Sequence, residues 1–139
     1  MFKASVIEKK HKKFYMRKTV DIGFLQGIDP DVILRAAENE YGTNKVPERS
    51  FMRSTFDLNK RKITKFARAM APSVIADKMS QTVFMEKLGR FVKELIENRI
   101  STAKSWAQPL ANITIRKKGH DRPLIETYAM ITSIKIRVK

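Results

Sequence analysis

The chain has 139 residues, no cysteine and a net charge of +15, from 29 Lys and Arg against 14 Asp and Glu. Its length suits one domain burying roughly two-thirds of its unfolded surface, and the lack of cysteine excludes disulfides and thiolate metal sites. No apolar run approaches the roughly 18–20 residues that span a bilayer, and the basic start MFKASVIEKKHKKFYMRK lacks the apolar centre of a secretory signal, so the chain is expected to be made and kept in the cytoplasm without a membrane partner.

Residues 3–8 are compatible with a short strand or a helix start, and residues 1–17 as a whole read as a basic N-terminal arm or edge strand. Val20, Ile22 and Phe24 alternate with polar or small partners, which predicts a strand over 19–25, closed by Gly27. DPDVILRAAENEYG predicts a helix: Asp29 caps it, Pro30 sits in its first turn, Asp31 suits the positive end and Gly42 stops it. A second helix is expected from Ser54, where Ser54 and Asp57 have capping-box spacing, and Phe56, Ile63, Phe66, Ala67 and Met70 share one face. Pro72 is expected to end or kink it after Ala71.

The clearest helix runs from about 81 to 103, with Val83, Phe84, Leu88, Phe91, Val92, Leu95 and Ile96 as its apolar stripe. On its polar face Glu86 and Arg90 have ion-pair spacing, worth a few tenths of a kcal/mol, roughly. Gln108-Pro109 breaks this helix. Residues 110–115 suit either a helical turn or a strand, 116–123 read as a loop, and 127–134 are ambiguous. Ile134, Ile136 and Val138 alternate with Lys135, Arg137 and Lys139, which predicts a terminal strand with one wet face. The expected fold is α+β: a small, mainly antiparallel sheet with two long helices packed on one face, in a single domain over residues 18–139.

The positive charge is uneven. Residues 1–20 carry seven bases and one acid, 21–60 five and seven, 61–100 nine and four, and 101–139 eight and two. Such a field favours polyanions, although a solvated basic surface accounts for the same numbers. Lys9, Lys10, Lys12, Lys13, Arg17 and Lys18 surround Phe14 and Tyr15, a pattern that suits either base stacking or the edge of a core. Arg116, Lys117 and Lys118 form a second candidate polyanion contact. Trp106 reads either as a cap over the helix end or as an interface anchor. Catalytic signals are weak. His120 stands beside Asp121 without a nucleophile in a recognised arrangement, Asp29 and Asp31 are explained by helix capping, and no glycine-rich phosphate loop is present. No catalytic residue, cofactor or metal is expected.

Two stretches carry a family resemblance. GTNKVPERSFMRSTFDLNKRKI, residues 42–63, resembles the G-T-x-x-I-P-x-R-x-F-L/M-R pattern of tailed-bacteriophage virion-morphogenesis proteins, the small tail-completion or neck subunits of head–tail joining. WAQPLANITIRKKGHDRPLIET, residues 106–127, is similar to the same family's second block, W-x-P-L followed by K-G and P-L-I-D/E-T. The order of strand, NEYGT segment, first block, helices, second block and terminal strand also agrees, and the resemblance covers residues 18–139. One departure is Tyr128, where the family commonly has Gly, which leaves open how the backbone turns there.

The resemblance implies a non-enzymatic virion protein: a ring-forming subunit, hexameric by analogy, that joins the tail to the head connector around the DNA channel. Its implied partners are further copies of itself, neighbouring neck, tail-terminator or tail-tube proteins, and genomic DNA in the channel. Within that reading Pro47, Arg49, Phe51, Met52, Arg53 and Trp106 are the expected subunit-interface residues. Phe51 and Met52 would insert into a neighbour, and Arg49 and Arg53 would fork onto its carboxylates. For Phe51 and Met52 a place in the core is the competing reading. A stand-alone nucleic-acid-binding protein is the alternative function.

Overall fold

A computed structural model describes residues 15–124 and 128–139. Two strands, Val20–Gly23 (β1) and Lys135–Val138 (β2), pair antiparallel with Val20 opposite Val138 and Gly23 opposite Lys135. Thr19 and Lys139 extend the ladder by exchanging backbone hydrogen bonds of 3.2 and 2.9 Å. On the wet face the Asp21 carboxylate accepts from Lys139 at 2.6 Å and Arg137 at 3.3 Å, and these two partners hold its pKa below the usual carboxylate value. The alternation expected for the terminal strand is present in β2, whereas β1 is shorter than the 19–25 expected, ends before Phe24 and does not alternate in burial. Residues 3–8 lie outside the described residues.

Pro30–Tyr41 forms α1 as expected, with the Asp29 side chain accepting from the Asp31 N–H at 2.9 Å and Gly42 at φ 74° ending it. The two long helices are Phe51–Ile75 (α2) and Gln81–Ser101 (α3), followed by Ala103–Trp106 (α4), Asn112–Lys118 (α5) and Ala129–Thr132 (α6). The architecture is α+β, with a two-stranded antiparallel sheet and both long helices on one face. α3 lies directly against the strands. Gly89 sits at that crossing, and a Cβ there would meet Val20 Cγ2 at 2.8 Å and Ile136 Cγ2 at 3.4 Å, so the glycine permits the close approach. α2 packs along α3, with Phe66 stacked on Phe91 at 4.2 Å between ring centroids. The core gathers Phe51, Val92, Ile96, Ile100, Leu124, Met130 and Ile134. A fully buried isoleucine such as Ile96 contributes about 1.5–3 kcal/mol relative to exposure.

Several local expectations are corrected. α2 begins at Phe51, not Ser54, because Glu40 supplies its N-terminal acceptors from another helix. Ser54 forms no capping box, and its hydroxyl accepts from Arg99 Nε instead. Pro72 does not end the helix after Ala71: it lies in the last turn, and α2 runs on to Ile75. There Asp77, in the left-handed region at φ 59°, closes a Schellman arrangement: Lys78 N–H donates to Ser73 O at 2.8 Å and Asp77 N–H to Val74 O at 3.1 Å. Arg116, Lys117 and Lys118 are helical, not loop, because α5 continues until Gly119 turns left-handed at φ 75°. Among the described residues the i,i+4 ion pair on α3 is Lys93–Glu97 at 3.6 Å, two turns beyond the expected Glu86–Arg90. The ambiguous stretch after Tyr128 is the short helix α6, and Tyr128 takes φ 59°, ψ 7°, the left-handed conformation that a glycine would adopt without strain.

Candidate functional site

The two blocks quoted above meet in space, and Glu40 and Arg49 explain how. Glu40, at the end of α1, is buried with its carboxylate over the start of α2. It accepts from Met52 N–H at 2.8 Å, Arg53 N–H at 3.0 Å, Ser50 Oγ at 2.9 Å and Arg53 Nε at 2.9 Å. Burial alone would raise its pKa. The Arg53 and Met52 amides, the Arg53 guanidinium and Ser50 outweigh that and hold it below the usual value. Arg53 completes the knot by pairing with Glu48 at 2.9 Å and lying 5.0 Å over the Tyr41 ring, and its hydrogen bond to Glu40 raises its own pKa.

Arg49 is 5% exposed. Its guanidinium donates to Gln108 O at 2.9 Å, Asn39 Oδ1 at 3.3 Å and Pro109 O at 3.5 Å. One side chain of the first block thus holds the backbone of the second, across 59 residues. A further clasp joins the same regions. Arg99 Nε donates to Ser54 Oγ at 2.9 Å, its guanidinium lies 3.7 Å over the Trp106 ring, and Trp106 Nε1 donates back to Arg99 O at 2.8 Å. Burial lowers the pKa of both arginines.

These contacts revise the expected interface residues. Phe51 is 1% exposed and meets Phe24 edge-on, so it belongs to the chain's own core. Met52 is half-buried against the same core. Arg49 is committed to the second block, and both carboxylates on the Arg53 fork come from its own chain. Trp106 caps the end of α3. Pro47 is half-buried and lines a cleft described below. The spacing V-P-E-R-x-F therefore encodes an internal junction: the proline turn aims one arginine inward, and the following aromatic enters the core.

The surfaces left for other molecules lie elsewhere. On α1, Ile33, Leu34 and Tyr41 are exposed, Leu34 at 58% and Tyr41 at 68%, and with Ala37 they form one apolar stripe. An apolar hollow of about 200 Å³ between this stripe and Phe24 and Met52 extends it. The signal was legible as i, i+4, i+8 spacing at 33, 37 and 41, but the buried residues of α1 share the same segment and mask it. On α2, Arg61, Lys65 and Arg68 occupy successive turns of the face opposite the core, flanked by Lys60 and Thr64. None of these four cations is ion-paired among the described residues.

Of the expected polyanion contacts, Lys9, Lys10, Lys12 and Lys13 lie outside the described residues. Arg17 and Lys18 are exposed beside β1, and the backbone at 15–17 is held by the Gln81 amide, which donates to Tyr15 O and accepts from Arg17 N–H, both at 2.7 Å. Arg116 and Lys117 are exposed on α5, whereas Lys118 is half-buried. His120 and Asp121 do not work as a pair. His120 Nδ1 accepts from Arg122 N–H, and Asp121 is bound by Lys104 at 2.7 Å, which lowers its pKa. No helix among the described residues is long and apolar enough to cross a membrane. No family model, curated protein or solved structure matches the chain.

Proposed function

We propose that the chain is a non-enzymatic structural subunit of a tailed-phage virion, acting in a neck or tail-completion ring that joins the tail to the head connector around the DNA channel. The observation that carries this reading is that the two resembling blocks are fastened to each other through Arg49. Blocks that cooperate in one junction are what a shared fold requires, and that supports the reading. The apolar stripe of Ile33, Leu34, Ala37 and Tyr41 supplies a self-contact face. A heterologous contact of that face with a different face of the next copy closes into a ring when the rotation is right. Assembly in the host cytoplasm and residence in the neck follow from this role.

The test is to locate the chain in intact particles by image reconstruction. A ring of copies at the head–tail junction, with α1 at the contact between subunits and lost from particles made with Leu34→Glu, is expected. A solitary copy, absence from mature particles, or turnover of a substrate refutes it. One observation favours a second reading, a stand-alone nucleic-acid-binding protein: the α2 stripe of Arg61, Lys65 and Arg68. If that reading holds, the purified chain binds naked duplex with a log–log salt slope of roughly −3, from three neutralised phosphates, and no particle contains it.

A further inference from the structure

The strongest unexplained feature is a buried cation without a counter-ion. Arg49 lines a cleft of about 550 Å³, and its three hydrogen-bond acceptors, Gln108 O, Asn39 Oδ1 and Pro109 O, are all uncharged. A guanidinium carries five N–H groups, so two remain after these bonds. No carboxylate among the described residues is ion-paired with it. Its neighbour Arg53 is the contrast, with two carboxylates on one fork. Removing a charge from water without an opposite charge costs several kcal/mol, roughly, and an arriving anion offsets that cost.

The walls of the cleft suit such an anion. Lys45 lines it with Arg49, Glu38 is the one carboxylate among its described lining residues, and Pro47 and Leu110 are among its apolar walls. We propose that this cleft binds a carboxylate side chain on an acidic peptide segment of a partner protein, with Arg49 at its floor and Lys45 at its rim. A volume of about 550 Å³ is that of a pocket for a few residues. A convex duplex cannot bring its phosphates down to a side chain that is 5% exposed. The apolar walls give the residues flanking the carboxylate somewhere to pack. The inference stands on the cleft alone and requires no ring, so the two proposals fail separately.

The isolated full chain, ¹⁵N-labelled, is titrated with the peptide Ac-Leu-Asp-Glu-Leu-amide and with its neutral counterpart Ac-Leu-Asn-Gln-Leu-amide. The Arg49 Nε–H signal and the Gln108 and Leu110 amides report binding. The acidic peptide is expected to move these signals saturably and to bind at least about tenfold tighter than the neutral one, since a charge-assisted bond is roughly twice a neutral one. Because Arg49 also fastens the two blocks, the rim variant Lys45→Gln carries the mutational arm. It is expected to weaken binding by about three- to tenfold through loss of one nearby charge, with Tm unchanged. Equal binding of the two peptides, or no movement of Arg49, overturns the proposal. So does inorganic phosphate or a short DNA duplex moving Arg49 as strongly at equal concentration, which would make the cleft a free-anion or nucleic-acid site.

Discussion

Replacing Glu40 by Gln tests the junction most directly. The carboxylate receives four donors at 2.8–3.0 Å, two of them the backbone N–H groups of Met52 and Arg53 at the positive end of α2. Hydrogen bonds to a charged group are worth about 1.5–3 kcal/mol each, but four sharing one acceptor do not add. Glutamine keeps one oxygen acceptor and turns an NH2 group toward donors, so an expected loss of about 2–4 kcal/mol combines lost bonds with an unsatisfied buried amide. Urea unfolding followed by circular dichroism should show a lower midpoint with an unchanged slope.

The pH dependence carries the same information. Because the folded pKa of Glu40 lies below its ordinary 4.5, its contribution is fully present above that value and disappears as pH falls through the lower, folded one. The wild-type chain therefore loses more stability than Glu40→Gln across that acid window, and the two curves converge at its low end. A cost under about 0.5 kcal/mol, typical of a neutral surface change, together with parallel acid limbs would refute the assignment of Glu40 as the cap that starts α2.

Two further substitutions probe backbone positions. Gly89→Ala gains about 0.5–1 kcal/mol of helix preference but brings a methyl to 2.8 Å from Val20 Cγ2, an overpacking worth about 1–3 kcal/mol, so a net loss of roughly 0.5–2 kcal/mol is expected. In a Val20→Ala background the same change should become neutral or stabilising, a reversal measurable by thermal unfolding. Tyr128→Gly should stabilise by about 0.5–1 kcal/mol, because the exposed tyrosine occupies a left-handed conformation that costs about 1–2 kcal/mol in an L-residue. A destabilised glycine variant would mean that the tyrosine ring itself makes a compensating contact.

Local rules were sufficient wherever an element's signals sit within its own segment. Asp29, Pro30 and Gly42 delimit α1 because caps act on neighbouring amides. The stripe on α3 and the alternation in β2 survive because one face of each is buried and the other wet. The start of α2 was not legible, since its cap comes from Glu40 on a different helix. Nor did Pro72 act as a stop. An Asp77 in the left-handed region, with Ser73 and Val74 as acceptors, decides that end.

The largest revision concerns residues 47–53. Their charged and aromatic side chains were equally compatible with a docking loop and with an internal clasp, because a sequence lists donors without saying which acceptors reach them. Packing brings Asn39, Gln108 and Pro109 to Arg49 and Glu40 to Arg53, so the chain satisfies its own fork-shaped donors. Composition, charge and periodicity determined an α+β chain with a basic exterior. Only the tertiary contacts decided which cations are held within the chain, as Arg53 is, and which face outward, as Arg61, Lys65 and Arg68 do. The physical reason is that the worth of a charge is set by the distance and burial of its partners, and those are properties of the assembled fold.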